Sequence, residues 1–179
     1  MLILLATHQV LITMILILKL AIIVLFFLSP TSIYATEVGK PAPEFTANLI
    51  DGKLFSVESA KGQVIIINFW ASWCSPCRQE MPAFERYYQQ HKAQGLHLIA
   101  VSLDETSDDA KVRQVMSAYS FNAAFERETQ HKGYGRIWRL PLTFVIDRKG
   151  IVRKDGWYGD AGIDQALLEK IVTPLLDEK

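Results

Sequence analysis

Val64-Ile65-Ile66-Ile67-Asn68-Phe69-Trp70-Ala71-Ser72-Trp73-Cys74-Ser75-Pro76-Cys77-Arg78-Gln79-Glu80 carries a β-branched run straight into the only two cysteines of a 179-residue chain. The run lacks alternation and follows Gly62, as expected of a central strand covered on both faces. Beyond it, Met81, Phe84, Tyr87 and Tyr88 share one side of a predicted helix from Cys74 to about Gln94, stopped by Gly95 and bent or loosened by Pro82. A cysteine in the first turn of such a helix meets unpaired backbone N–H groups and the positive end of the helix dipole, which favour thiolate over thiol. Cys77, one turn later on the same face, is close enough to close a small disulfide ring and to resolve a mixed disulfide at Cys74. A redox-active dithiol of Cys74 and Cys77 is the leading reading.

Other uses of a Cys-x-x-Cys pair fit less well. A structural zinc site needs four ligands, and no second pair stands at metal-ligand spacing, because His8, His91, His97 and His131 are isolated. Haem attachment needs His after the second cysteine, where this chain has Arg78. An inert structural disulfide remains open, although so small a loop adds little chain-entropy stabilisation.

Residues 1–35 read as a leader and 36–179 as one domain, whose 144 residues are ample for a single core. Without the leader's single charge, Lys19, the basic count falls to 18 against 19 acids, which offers no electrostatic case for nucleic acid. The leader has two readings. A signal peptide could start at Met14, with Lys19 as its charged region, Leu20 to Leu28 as its apolar region, and Ile33-Tyr34-Ala35 as its cleavage site. Alternatively, a chain starting at Met1 could keep Val10 to Leu28 as an anchor, at a cost of about 2.5–3.5 kcal/mol for a central Lys19 unless it snorkels. Both readings place the domain outside the cytoplasmic membrane, where a bare dithiol stays oxidised unless something reduces it.

Lys40 to Lys53 reads as an extended segment, a short strand and an Asp51-Gly52 turn into a second strand near Leu54 to Ser56, a hairpin. Leu96 to Leu103 is the next strand, and Ser107-Asp108-Asp109 should cap a helix from about Asp109 to Tyr119 in a right-handed parallel unit. Ala123 to Trp138 carries no clear pattern. Strands follow at Leu142 to Asp147 and Ile151 to Lys154, and a last helix spans Ile163 to Leu175.

Together these residues resemble the thioredoxin superfamily, specifically its exported TlpA/ResA-type members, over essentially all of Val38 to Leu176. The resemblance rests on Pro41-Ala42-Pro43-Glu44-Phe45 with Asp51-Gly52, on Asn68 to Pro82, and on Leu140-Pro141-Leu142-Thr143-Phe144-Val145-Ile146-Asp147 with Gly150. It implies an α/β thioredoxin-like fold: a central mixed sheet with helices on both faces and an N-terminal β-hairpin extension. It also implies that Pro141 is cis and faces the dithiol, leaving backbone groups of Leu140 to pair with an extended substrate. Leu142 stands where relatives often carry Thr. Asn68 matches the buried Asp of thioredoxin but cannot accept a proton, so Glu80, three residues past Cys77, becomes the candidate for proton transfer. A solvated glutamate serving only the helix dipole is the competing account of Glu80.

Trp73 is expected to shield the sulfur and contact a partner, and Trp70 to lie in the core. Ser75 and Pro76, the latter suited to a first helical turn, align the dithiol with reducing relatives. Lys132, Arg136 and Arg139 have two readings, a fringe of the groove and, favoured over it, a solvated helix face. The implied activity is reduction of protein disulfides, without cofactor or metal. Apocytochrome c is the implied substrate and a membrane protein of the CcdA or DsbD kind the implied electron donor. Two alternatives stay open: a thiol peroxidase, which shares the Pro41 to Phe45 segment, and a non-enzymatic anchored binding module with a structural disulfide.

Overall fold

The β-branched run forms β3 (Val64–Trp70), buried at every residue, in a computed structural model that describes residues 14, 15, 17–19, 36–159 and 162–178. Two compact units divide the chain, Met1–Ile33 and Tyr34–Lys179. In the first, residues 14, 15 and 17–19 are helical. The signal-peptide, anchor and start-site readings otherwise fall outside the described residues, among which no helix is long and apolar enough to cross a membrane.

In the second unit β1 (Thr46–Leu49) and β2 (Leu54–Ser56) pair antiparallel across the Asp51-Gly52 turn, where Gly52 takes φ 87°. Adding β4 (Leu96–Ser102), β5 (Asn122–Gln130), β6 (Leu142–Ile146) and β7 (Val152–Lys154) gives one sheet in the order β2-β1-β5-β4-β3-β6-β7. Strands β3, β4 and β5 run parallel, and the remaining pairings are antiparallel. This is a mixed sheet of the thioredoxin-like kind. Of the unpatterned stretch, residues 123–130 belong to β5, whose Asn122 to Phe125 pair with β4 and whose Ala124, Thr129 and Gln130 pair with β1. Its half-polar sequence hid it, because only Ala123, Ala124 and Phe125 are buried.

Helix α1 (Ser75–His91) runs through Pro82 and tightens into a 3₁₀ turn, Lys92–Gln94, before the left-handed Gly95. Helix α2 (Asp109–Met116) is shorter than expected; its N-cap residue, Asp108, makes no side-chain cap bond, and Asp109 holds Arg127 at 2.6 Å. The expected C-terminal helix is two, α3 (Gln165–Ile171) and α4 (Thr173–Asp177), split where Pro174 removes a backbone donor. All four helices contribute to one core, with Ile66 and Trp70 of β3. The opposite face, carrying Ile65, Ile67 and Phe69, is covered by Phe45, Val57, Ala60 and Tyr134. Its only described helical cover is the 3₁₀ turn Lys132–Tyr134.

Just after β7, Gly156 passes so close to β6 that a Cβ would stand 2.9 Å from both the N and the O of Thr143. Gly156→Ala must push backbone from backbone, so a loss of about 1–3 kcal/mol is expected. Thermal melts should show it as a Tm lower by roughly 3–10 °C; an unchanged Tm would mean that the 156–159 loop yields freely.

Candidate active site

The parallel strands β3 and β4 end together, and the Leu142 end of β6 meets them at Phe69. Ligands gather at such carboxyl ends in α/β sheets. Between β3 and α1 the chain turns through Ala71, Ser72 and Trp73. Asp104, just beyond β4, fixes that turn: its Oδ2 accepts from the Ser72 N–H at 2.8 Å and the Ser102 hydroxyl at 2.7 Å, and its Oδ1 accepts from the Ser72 hydroxyl at 2.6 Å. All three residues are buried. Asp104→Ala would strand a buried N–H and two hydroxyls, so a loss of about 3 kcal/mol is expected. The measurement is a denaturant unfolding curve, with Asp104→Asn retaining part of the stability.

Cys74 is the N-cap of α1, its backbone extended (φ −82°, ψ 100°), and its Sγ accepts from the Cys77 N–H at 3.3 Å. Pro76 lies in the first turn, where no N–H is needed. A disulfide joins Cys74 and Cys77. Cys77 is fully enclosed and Cys74 is 6% exposed, so Cys74 is the sulfur nearer solvent. Trp70 is core, whereas Trp73 is 65% exposed beside Cys74 and leaves its ring open to a partner. Ser75 and Pro76 are both exposed.

Glu80 is the informative departure from a solvated first-turn residue. It is 5% exposed on the enclosed face of α1, its Oε1 accepting from Asn68 Nδ2 at 2.8 Å and its Oε2 from the Ile163 N–H at 3.0 Å. The Asn68 amide also donates to the Thr143 hydroxyl at 3.0 Å, across the β3–β6 pairing. Burial raises the Glu80 carboxyl from 4.5 to about 7, opposed by those two hydrogen bonds and by the charge of Lys154. Lys154 pairs with Val145, which places it on the same sheet face. A carboxyl that titrates near neutrality can give and take a proton under ordinary conditions.

Just before β6, whose Leu142 pairs with Phe69 of β3, the Leu140–Pro141 bond is cis, Pro141 is buried and Leu140 is half-buried. The solvated helix face expected around Lys132, Arg136 and Arg139 is not a helix beyond one 3₁₀ turn. Arg139 instead donates to the Gly156 carbonyl at 2.7 Å and lies over the rings of Trp138 and Trp157, which stack 5.7 Å apart. Arg139 thereby ties the β5–β6 loop to the segment that follows β7. Among the described residues no cluster of three or more His, Cys, Asp or Glu could hold a metal ion.

The structure thus brings Cys74, Cys77, Glu80, Trp73, Ser75 and Pro76 together on the start of α1, with Leu140 and Pro141 at the same end of the sheet. Sequence reasoning missed Asp104, Ser102 and Thr143. Acid and hydroxyl residues at a strand terminus were the available signal for the first two, but nothing local shows which turn they bind.

A family model described as AhpC/TSA family matches residues 38–155. Thiol-disulfide oxidoreductase ResA of Bacillus thuringiensis subsp. konkukian is 37% identical over 119 residues, covering 65% of this chain and 67% of that protein. Thioredoxin-like protein YneN of Bacillus subtilis is 34% identical over 121 residues, covering 65% and 69%. Among solved structures, a thiol:disulfide interchange protein of the thioredoxin family from Chlorobium tepidum superposes with a TM-score of 0.62 at 29% identity, covering 78% of this chain and 98% of its own. StoA from Bacillus subtilis superposes at 0.55 and 27%, covering 74% and 97%.

Proposed function

The chain belongs to the AhpC/TSA family and is a thioredoxin-like thiol-disulfide oxidoreductase, and from that premise we propose that it reduces protein disulfides on the outer side of the cytoplasmic membrane. The carrying observation is the pair itself: Cys74 at the N-cap of α1, nearer solvent, with the enclosed Cys77 one turn on and Glu80 one turn further along the enclosed face. In the reduced protein, Cys74 thiolate attacks one sulfur of a substrate disulfide; the bond breaks, the other substrate sulfur leaves as thiolate, and a mixed disulfide forms. Cys77 then passes its proton to Glu80 and its thiolate attacks Cys74 Sγ, which breaks the mixed disulfide and leaves Cys74–Cys77 oxidised; the two substrate thiolates take up one proton by way of Glu80 and one from solvent. Two electrons from a partner restore the dithiol. Trp73, Ser75, Pro76 and the Leu140–Pro141 backbone form the surface on which the substrate strand lies.

Export is supported by the leader, and apocytochrome c as substrate with a CcdA- or DsbD-type donor by resemblance to the ResA-type relatives. No bound cofactor enters any of these steps. The direct test is insulin disulfide reduction by the dithiol form, with hydrogen peroxide consumption alongside. Reduction without peroxide turnover supports the reading. Peroxide turnover at Cys74 without insulin reduction would establish the thiol peroxidase instead, and thiols that stay inert to both would make the pair structural.

A further inference from the structure

Beside the exposed Trp73, an open groove runs between the first turn of α1 and the outer face of α2, and its lining includes neither Leu140 nor Pro141. Trp73, Ser75 and Arg78 form one wall; Lys111, Val115 and Tyr119 form the other. Val115 and Tyr119 are half-buried against the core, and Ser72, Gln79 and Gln114 help make a lining that is polar for the most part. Arg78 and Lys111 are exposed, and neither is in an ion pair among the described residues. No carboxylate lines the groove. Of the nearby acids, Asp109 holds Arg127, Asp104 holds Ser72 and Ser102, and Glu80 holds Asn68 and Ile163, while Asp108, at the start of α2, lies outside the groove lining.

Two cations without an ion pair, on a largely polar lining that also offers Val115 and Tyr119, complement an extended segment that mixes carboxylates with aliphatic side chains. Because the groove starts at the residues flanking Cys74, such a segment would lie within a few residues of the disulfide being attacked. We infer that this groove receives an acidic stretch of the protein substrate and so biases the enzyme toward disulfides with Asp or Glu nearby. The inference rests on the reading of Cys74 as the attacking sulfur.

Rim charges act mainly on encounter and are screened by salt. The test uses three synthetic disulfide peptides, identical except for a flanking stretch rich in Asp, Ser or Lys, assayed with the full chain at low and high salt. At low salt the acidic peptide should exceed the Ser peptide in kcat/KM by about fivefold, through KM with kcat unchanged, and the gap should shrink to under about twofold at high salt. Lys111→Glu should abolish the advantage while leaving the Ser peptide, an internal control for dithiol chemistry, unaffected. Equal rates for all three peptides would overturn the groove and leave the reductase reading intact, as would an acidic preference that Lys111→Glu fails to change. Failure to reduce any peptide would overturn the reductase reading and the groove with it.

Discussion

Cys77→Ala is expected to stop multiple turnover and to leave the protein covalently joined to its substrates. With Cys77 gone, a mixed disulfide at Cys74 can be resolved only by a thiol arriving from solution. An intramolecular thiol in the right geometry behaves as though present at an effective concentration far above any attainable in solution, so the loss in steady-state insulin reduction should be about a thousandfold or more. The first half-reaction needs only Cys74 and should survive, so a single-turnover adduct should accumulate, cleaved by dithiothreitol and absent from Cys74→Ala. Adducts that form equally well without Cys74 would end the proposed exchange mechanism. The variant should fold, because alanine at an enclosed position on an apolar helix face removes one small sulfur rather than a hydrogen-bonded group.

Glu80→Gln is the second large effect. Asn68 Nδ2 now donates to Glu80 and to the Thr143 hydroxyl. Glutamine keeps the shape and its Oε1 still accepts from one of the two donors that now face Glu80, Asn68 Nδ2 or the Ile163 N–H, at the cost of the other contact. What Gln cannot do is move a proton. Resolution by Cys77 should slow by about a hundredfold, and the inflection near pH 7 in the single-turnover rate should vanish. A purely structural role for Glu80 would leave that inflection in place.

Stability gives an independent readout of the same group. The carboxyl is raised from 4.5 to about 7 in the folded chain, so folding favours its protonated form. This contribution is present in full below about pH 4.5, falls as the unfolded chain ionises, and is lost once the pH passes the folded value. Wild type should therefore lose up to about 3 kcal/mol between pH 4.5 and 7.5 that Glu80→Gln does not lose. Urea midpoints across that range measure the difference, and parallel curves for the two proteins would contradict a raised Glu80.

Much of this architecture was legible because local and tertiary demands agree. The apolar run of β3, the Asp51-Gly52 turn and the Cys74-Ser75-Pro76-Cys77 helix start each carry a signal that no distant contact overrides. Strand β5 was hidden for the opposite reason. Its Glu126 to Gln130 half is held by β1 rather than by burial, and a partner more than seventy residues away leaves no local trace. The burial of Glu80 was equally unreadable, because its enclosure comes from Ile163, on a segment far along the chain. Its role could be guessed from its distance to Cys77, while its titration near neutrality depends on packing. Arg139 shows the same limit: sequence gives a cation, and only the fold shows it spent on a carbonyl and two indole rings.

The two outermost strands, β2 and β7, are only three residues long each. The free side of β7 is moreover occupied by the N-terminal segment, through the Val152 N–H to the Lys40 carbonyl at 2.9 Å and the Gly39 N–H to the Val152 carbonyl at 2.8 Å. A protein that pairs extended substrates along its backbone, as proposed for Leu140 and Pro141, risks pairing with copies of itself. Curtailing and plugging its flanks guards against fibrous self-association, so that docking of extended chains stays confined to the cleft where a sulfur waits.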